Sequence, residues 1–145
     1  MSETNASTAV KVIAFQLVDK EYALPVEQVY SIEKLMHITR VPGTVPFIKG
    51  VINLRGVVTP IIDLRSRFGL SDERYDESTR IIIAALEDME VGLIVDGAND
   101  VLDIPIDAIE PQPEVVGSLG DEYITGVAKL DKRLLIMLSL QKIFN

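Results

Sequence analysis

The sequence predicts an all-β protein made of two similar lobes. Three observations carry that prediction. Strand-length apolar stretches broken by short polar turns dominate the 145 residues. A hairpin recurs: Leu17, Glu21, Ala23, Leu24 and Val26 meet Leu86, Glu90, Gly92, Leu93 and Val95, each 69 positions on. A second unit, Phe47–Phe68, recurs 76 positions on as Tyr123–Phe144, with six of 22 positions identical.

The elements follow in order. Met1–Ala9 is polar and reads as a loose tail rather than a signal peptide. Val10–Val18, the turn Asp19-Lys20-Glu21 and Tyr22–Val26 form a strand, a turn and a strand. Pro25–Val29 suits one helical turn, with Pro tolerated early. Val29, Ile32, Leu35, Ile38 and Val41 recur every three residues; most read as core, with a few left for an apolar interface. Val41–Pro46 holds two prolines and a glycine and reads as a loop. Phe47–Leu54 is a strand, and Arg55-Gly56 a tight turn with a cation at its tip. That arginine is either a solvated surface residue or one presented to a partner. Leu64–Phe68 suits a helical turn stopped by Gly69, and Gly69–Thr79 reads as a polar, exposed connector between the lobes.

The second copy repeats the plan. Ile81–Leu86, the turn Glu87–Glu90 and Val91–Val95 form the matching hairpin, and Asp96-Gly97 reads as a turn. Pro111-Gln112-Pro113 echoes the earlier proline loop, and Asp131-Lys132-Arg133 is a polar turn in the place of Arg55-Gly56. The lobes are set at about residues 10–70 and 80–145. A 60-residue unit hides only about 60% of its extended surface. The expectation is therefore one domain over 10–145, with two small barrels sharing a core and exchange of strands one way to build it.

Composition narrows the function. Net charge is −8, with no basic cluster to displace counterions from nucleic acid or dock on an anionic membrane. No Cys is present, which removes disulfides and thiolate chemistry and suits a reducing cytoplasm. The single histidine, His37, reads as a strand or loop residue, and no nucleophile elbow, phosphate loop or dinucleotide fingerprint occurs. Asp96, Asp100, Asp103 and Asp107 do not fit an EF-hand spacing, so no metal is expected. A carboxylate-dependent hydrolase is the competing class, though four Tyr and no Trp leave little platform for sugars.

Charge is uneven along the chain. Residues 81–128 hold eleven acids and no Lys or Arg, whereas the rest of the chain sums to +3. This makes the second lobe acidic, either for solubility or to select partners by charge.

The residues that carry the duplication also carry a resemblance. Phe47-Ile48-Lys49-Gly50-Val51-Ile52-Asn53-Leu54-Arg55-Gly56-Val57-Val58-Thr59-Pro60-Ile61-Ile62-Asp63-Leu64-Arg65 resembles the signature of the CheW family of bacterial chemotaxis coupling proteins. Val95-Asp96-Gly97, Asp100-Val101 and Tyr123-Ile124-Thr125-Gly126 resemble its later motifs, and the likeness runs from about Lys11 to the end. The same module occurs in the kinase CheA and in CheV-type proteins; the chain has no room for their further domains and resembles the stand-alone form. The resemblance implies two intertwined five-stranded SH3-like barrels with short helical turns, no catalysis and no cofactor. It implies a cytoplasmic adaptor at the inner face of the membrane. Its partners would be the tip of a chemoreceptor (a methyl-accepting chemotaxis protein), the CheA regulatory domain and other CheW copies. CheW-using pathways outside chemotaxis are the alternative setting.

By the same resemblance, Val29, Ser31, Ile32, Arg55, Gly56, Ile81, Gly92 and Val101 match receptor-contact positions. Some relatives have Glu where this chain has Ser31, which puts a charge contact there in question. Ile38, Val41, Lys49 and Gly50 are the kinase-contact candidates, and Glu110, Glu114 and Val115 match a second contact within arrays.

Overall fold

The computed structural model describes residues 9–70, 75–111 and 123–144. These form strands β1 (Ala9–Leu17), β2 (Lys20–Pro25), β3 (Val29–Lys34), β4 (Ile48–Leu54), β5 (Val57–Asp63) and β6 (Arg80–Leu86). They continue with β7 (Met89–Val95), β8 (Gly97–Pro105), β9 (Ile109–Glu110), β10 (Ile124–Leu130) and β11 (Arg133–Leu138). Short helices Leu64–Arg67 and Leu140–Phe144 follow β5 and β11.

The strands form two sheets, ordered β8-β1-β2-β11-β10-β9 and β3-β6-β7-β5-β4. Each sheet mixes the sequence copies. The β1–β2 hairpin joins strands of the second copy, and the β6–β7 hairpin joins strands of the first. The two orders correspond strand for strand. Both contain one parallel pair, β2 with β11 and β7 with β5, between the exchanged hairpin and its host. One sheet has six strands rather than five because of the two-residue β9; its counterpart is the single bridge between Thr39 and Val51.

The core explains why the copies interlock. One apolar cluster spans both sheets, with Phe15, Tyr22, Ile62, Phe68, Leu93, Tyr123 and Ile136 among its members. Two smaller clusters are private, around Ile104 and Leu135 in one sheet and around Ile52 and Ile81 in the other. The largest apolar mass thus lies where the copies meet, as marginal half-sized lobes require. Phe68 stacks on Tyr123 at 5.1 Å, and Arg67 lies 4.0 Å over Phe47 and 4.9 Å over Tyr123. Those two aromatics are repeat equivalents. Arg67 also donates from Nε to the Ile143 carbonyl at 2.7 Å, which satisfies an end of the last helix.

Turn geometry repeats with the sequence. The positive-φ residues Val18 and Glu87 open equivalent hairpin turns, as do Arg55 and Asp131. Val18 is therefore a turn residue rather than the end of a strand, and Val26 belongs to a 3-10 turn, Val26–Gln28, that starts after Pro25. Asp63 caps its helix, accepting from the amides of Arg65 at 2.9 Å and Ser66 at 3.3 Å. Gly69, at φ 78°, ends the helix as expected. The connector is not wholly exposed. The Tyr75 hydroxyl donates to Asp63 at 2.7 Å, and Thr79 is buried.

Ala9 already pairs with Pro105 in β1; the rest of the expected tail lies outside the described residues. The acid-only stretch does not define one lobe. Glu87, Asp88 and Glu90 belong to the β6–β7 hairpin of the five-stranded sheet, whereas Asp100 and Asp103 lie on β8 of the other.

Candidate partner-binding surface

The β4–β5 turn needs left-handed backbone at both central residues, with φ 53° at Arg55 and 83° at Gly56. Gly suits that conformation without strain, and Arg does not. The Gly56 amide is held by Asn53 Oδ1 at 3.0 Å. The turn aims Arg55 at β3. Its guanidinium lies 5.1 Å from the Tyr30 ring centroid, and its Nη1 lies 3.8 Å from Glu33 Oε2. The cation at the tip is therefore not alone; it links the turn to the edge strand of the same sheet.

Around this link the surface is apolar. Strand alternation turns Tyr30 and Ile32 outward, 59% and 39% exposed, and Val57 and Val58 flank the turn at 48% and 65%. Aromatic, aliphatic and arginine side chains together make a binding-surface composition.

The receptor-contact candidates divide into three groups. Val29, Ser31, Ile32, Arg55 and Gly56 gather on β3 and the β4–β5 turn. Ser31 Oγ is buried without a hydrogen-bond partner. Ile81 and Gly92 are buried, so a docked protein would meet them only through their neighbours. Gly92 leaves room for Ile61; a Cβ there would lie 2.5 Å from its Cδ1. Val101 is exposed, but on β8 of the other sheet.

The kinase-contact candidates share one strip. Thr39 and Val51 exchange two backbone hydrogen bonds of 2.8 Å, which brings the segment around Ile38 and Val41 beside Lys49 and Gly50. Val41 is exposed, Ile38 is half-buried, and Lys49 Nζ lies 5.7 Å from the Tyr75 ring. Gly50 is buried, and a side chain there would collide with the Thr39 carbonyl; its role is to let the segment approach. Glu110 is exposed and pairs with Lys129 at 3.5 Å, while Glu114 and Val115 lie outside the described residues.

Three of the four aspartates considered for metal have other partners. Asp96 binds Arg65, Asp100 binds Arg133, and Asp103 binds Lys11. Among the described residues no group of three or more His, Asp or Glu is placed to hold a metal ion. A cavity of about 110 Å³ opens at the seam between the sheets, lined by Leu17, Tyr22, Phe68 and Ile136 with Asp19 its one carboxylate among the described residues.

Sequence reading missed Tyr30 and Glu33. Both sit on β3, which the every-third-residue recurrence from Val29 to Val41 did not set out as a strand, and the approach of the β4–β5 turn to β3 leaves no local signal.

Comparison with known proteins bears on the fold and the family. A family model for a CheW-like domain matches residues 11–145. The chain is 49% identical over 138 residues to the chemotaxis protein CheW of Bacillus subtilis, covering 95% of this chain and 88% of that protein. It is 40% identical over 133 residues to the CheW of Klebsiella aerogenes, covering 92% and 80%. Among solved structures, the scaffolding protein TtCheW from Thermoanaerobacter tengcongensis superposes with a TM-score of 0.87 at 36% identity, over 94% of this chain and 92% of that one. With the domain match spanning all but its first ten residues, and relatives approaching half identity, this duplicated, hairpin-exchanged β protein belongs to the CheW-like family.

Proposed function

We propose that the chain is a non-enzymatic adaptor that couples chemoreceptors to the histidine kinase CheA in cytoplasmic chemotaxis arrays. The observation that carries this reading is the match to CheW proteins across almost the whole chain. The geometry supports it with two separate surfaces. One is the Arg55, Tyr30 and Ile32 face, which suits the receptor tip. The other is the strip holding Ile38, Val41 and Lys49, which suits CheA, with Glu110 on the opposite sheet for a further contact. Interlocked sheets hold such faces at fixed spacing, so a shift in packing at one is passed to the other rather than absorbed.

The test is co-sedimentation of a receptor cytoplasmic fragment with CheA, with and without the chain. Wild type retains both partners. Arg55→His weakens receptor retention by about tenfold, as loss of an arginine hot spot does, with an unchanged melting temperature. Absence of any retention by wild type overturns the adaptor reading. A collapsed melting temperature with receptor affinity intact removes Arg55 from the surface.

A further inference from the structure

Among the described residues Arg55 has two partners within its own chain, and the two differ in kind. The Glu33 carboxylate is 3.8 Å away, beyond hydrogen-bond distance, and both side chains are open to water at 53% and 26% exposure. A pair of that kind contributes little and exchanges readily. Arg65 with Asp96 shows the contrast: 2.7 Å, with side chains only 16% and 23% exposed. The Tyr30 contact is to the ring, 5.1 Å from its centroid, and supplies no carboxylate or carbonyl acceptor for the guanidinium N–H groups. Tyr30 is itself 59% exposed, on the same strand face as Ile32.

We propose that Tyr30 and Glu33 make Arg55 a pre-paired cation whose partner is exchanged on docking. A carboxylate on the incoming protein replaces Glu33, while Tyr30 holds the guanidinium in place and adds its ring to the contact. This rests on the adaptor reading and names the chemistry of its receptor contact: an apolar helical surface with an acidic side chain beside the apolar ones. Glu33 acts as an internal competitor that sets affinity, and Tyr30 as a specificity-determining residue.

The experiment titrates a labelled receptor cytoplasmic fragment against wild type, Glu33→Gln, Tyr30→Phe and Tyr30→Ala, with a melting curve for each. Glu33→Gln binds about two- to fivefold tighter, the range a half-exposed ion pair supports. Tyr30→Phe stays within about twofold, and Tyr30→Ala binds about five- to twentyfold weaker. All four melt alike. A receptor fragment with its tip carboxylates changed to amides cancels the advantage of Glu33→Gln. Unchanged or weaker binding by Glu33→Gln overturns the exchange, and unchanged binding by Tyr30→Ala overturns the role of Tyr30. If wild type binds and no variant differs, this inference alone fails. If wild type does not bind, the adaptor reading fails and takes the inference with it.

Discussion

Arg65 grips Asp96 with two hydrogen bonds, Nε to Oδ1 at 3.1 Å and Nη2 to Oδ2 at 2.7 Å. Asp96 Oδ2 also accepts the Val18 amide at 2.7 Å, and the Asp96 amide donates to the Gln16 carbonyl at 3.0 Å. Three segments converge here: the tip of the β1–β2 hairpin, the helix after β5 and the β7–β8 junction. The first belongs to the six-stranded sheet and the second follows the five-stranded one. Asp96 therefore fastens an exchanged hairpin to the opposite sheet, and it holds Val18 in a backbone conformation that a β-branched residue rarely adopts.

Asp96→Ala removes the two hydrogen bonds that the largely buried Arg65 makes to it and the acceptor of the Val18 amide, so it costs about 2–4 kcal/mol. At about 2–4 °C per kcal/mol for a chain of this size, the melting temperature falls by roughly 4–15 °C. Asp96→Asn keeps a neutral acceptor and costs less. Urea titration of both variants measures this. A change under about 0.5 kcal/mol for the alanine variant would show that the core alone holds the sheets.

The duplication predicts an ordered pair of glycine effects. Gly50 and Gly126 are repeat equivalents, each at a β-bulge beside a crossing segment. A Cβ at Gly126 would lie 2.9 Å from the Glu110 carbonyl and 3.1 Å from Ile109 Cγ2. At Gly50 it would meet the Thr39 carbonyl more closely still, with φ at 156°. Gly126→Ala should cost about 1–3 kcal/mol, the usual range for overpacking. Gly50→Ala should cost more and break the Thr39–Val51 bridge. Amide exchange at Thr39 and Val51 reports that bridge; equal costs at the two positions would remove the asymmetry.

What was legible in the sequence was local. The Arg55-Gly56 turn and the Gly69 stop follow from residues close together in the chain, and the 69- and 76-residue offsets from comparing one local pattern with another. Which sheet each hairpin joins was not legible. Alternation tells a strand its two faces but not its neighbours, and the parallel pairs β2–β11 and β5–β7 join distant segments. The same limit hid Tyr30 beneath Arg55. It also separated the acid-only stretch from the idea of an acidic lobe, because exchange distributes that stretch over both sheets. Ile81 and Gly92 matched contact positions by resemblance, yet an apolar run and a glycine among isoleucines are also what a core strand requires.

Acid should weaken the exchanged hairpin through Glu21. Arg133 donates to its carboxylate from Nε at 3.0 Å and from Nη2 at 2.8 Å, joining β11 to β2. That hydrogen bonding, above all, holds the Glu21 carboxyl below its ordinary value of 4.5, with burial opposing it in part. The folded state thus favours the ionised form, and the unfolded chain binds more protons on acidification. The contribution is complete above the ordinary glutamate value and is lost as pH falls through the lower folded one. The pair is partly exposed, so Glu21→Gln costs about 1 kcal/mol at neutral pH. Asp100, 3.0 Å from Arg133, retains some of the charge pairing. Urea midpoints of wild type and Glu21→Gln should converge from about pH 5 towards pH 3. Curves that stay parallel across that range would assign the acid limb to other carboxylates.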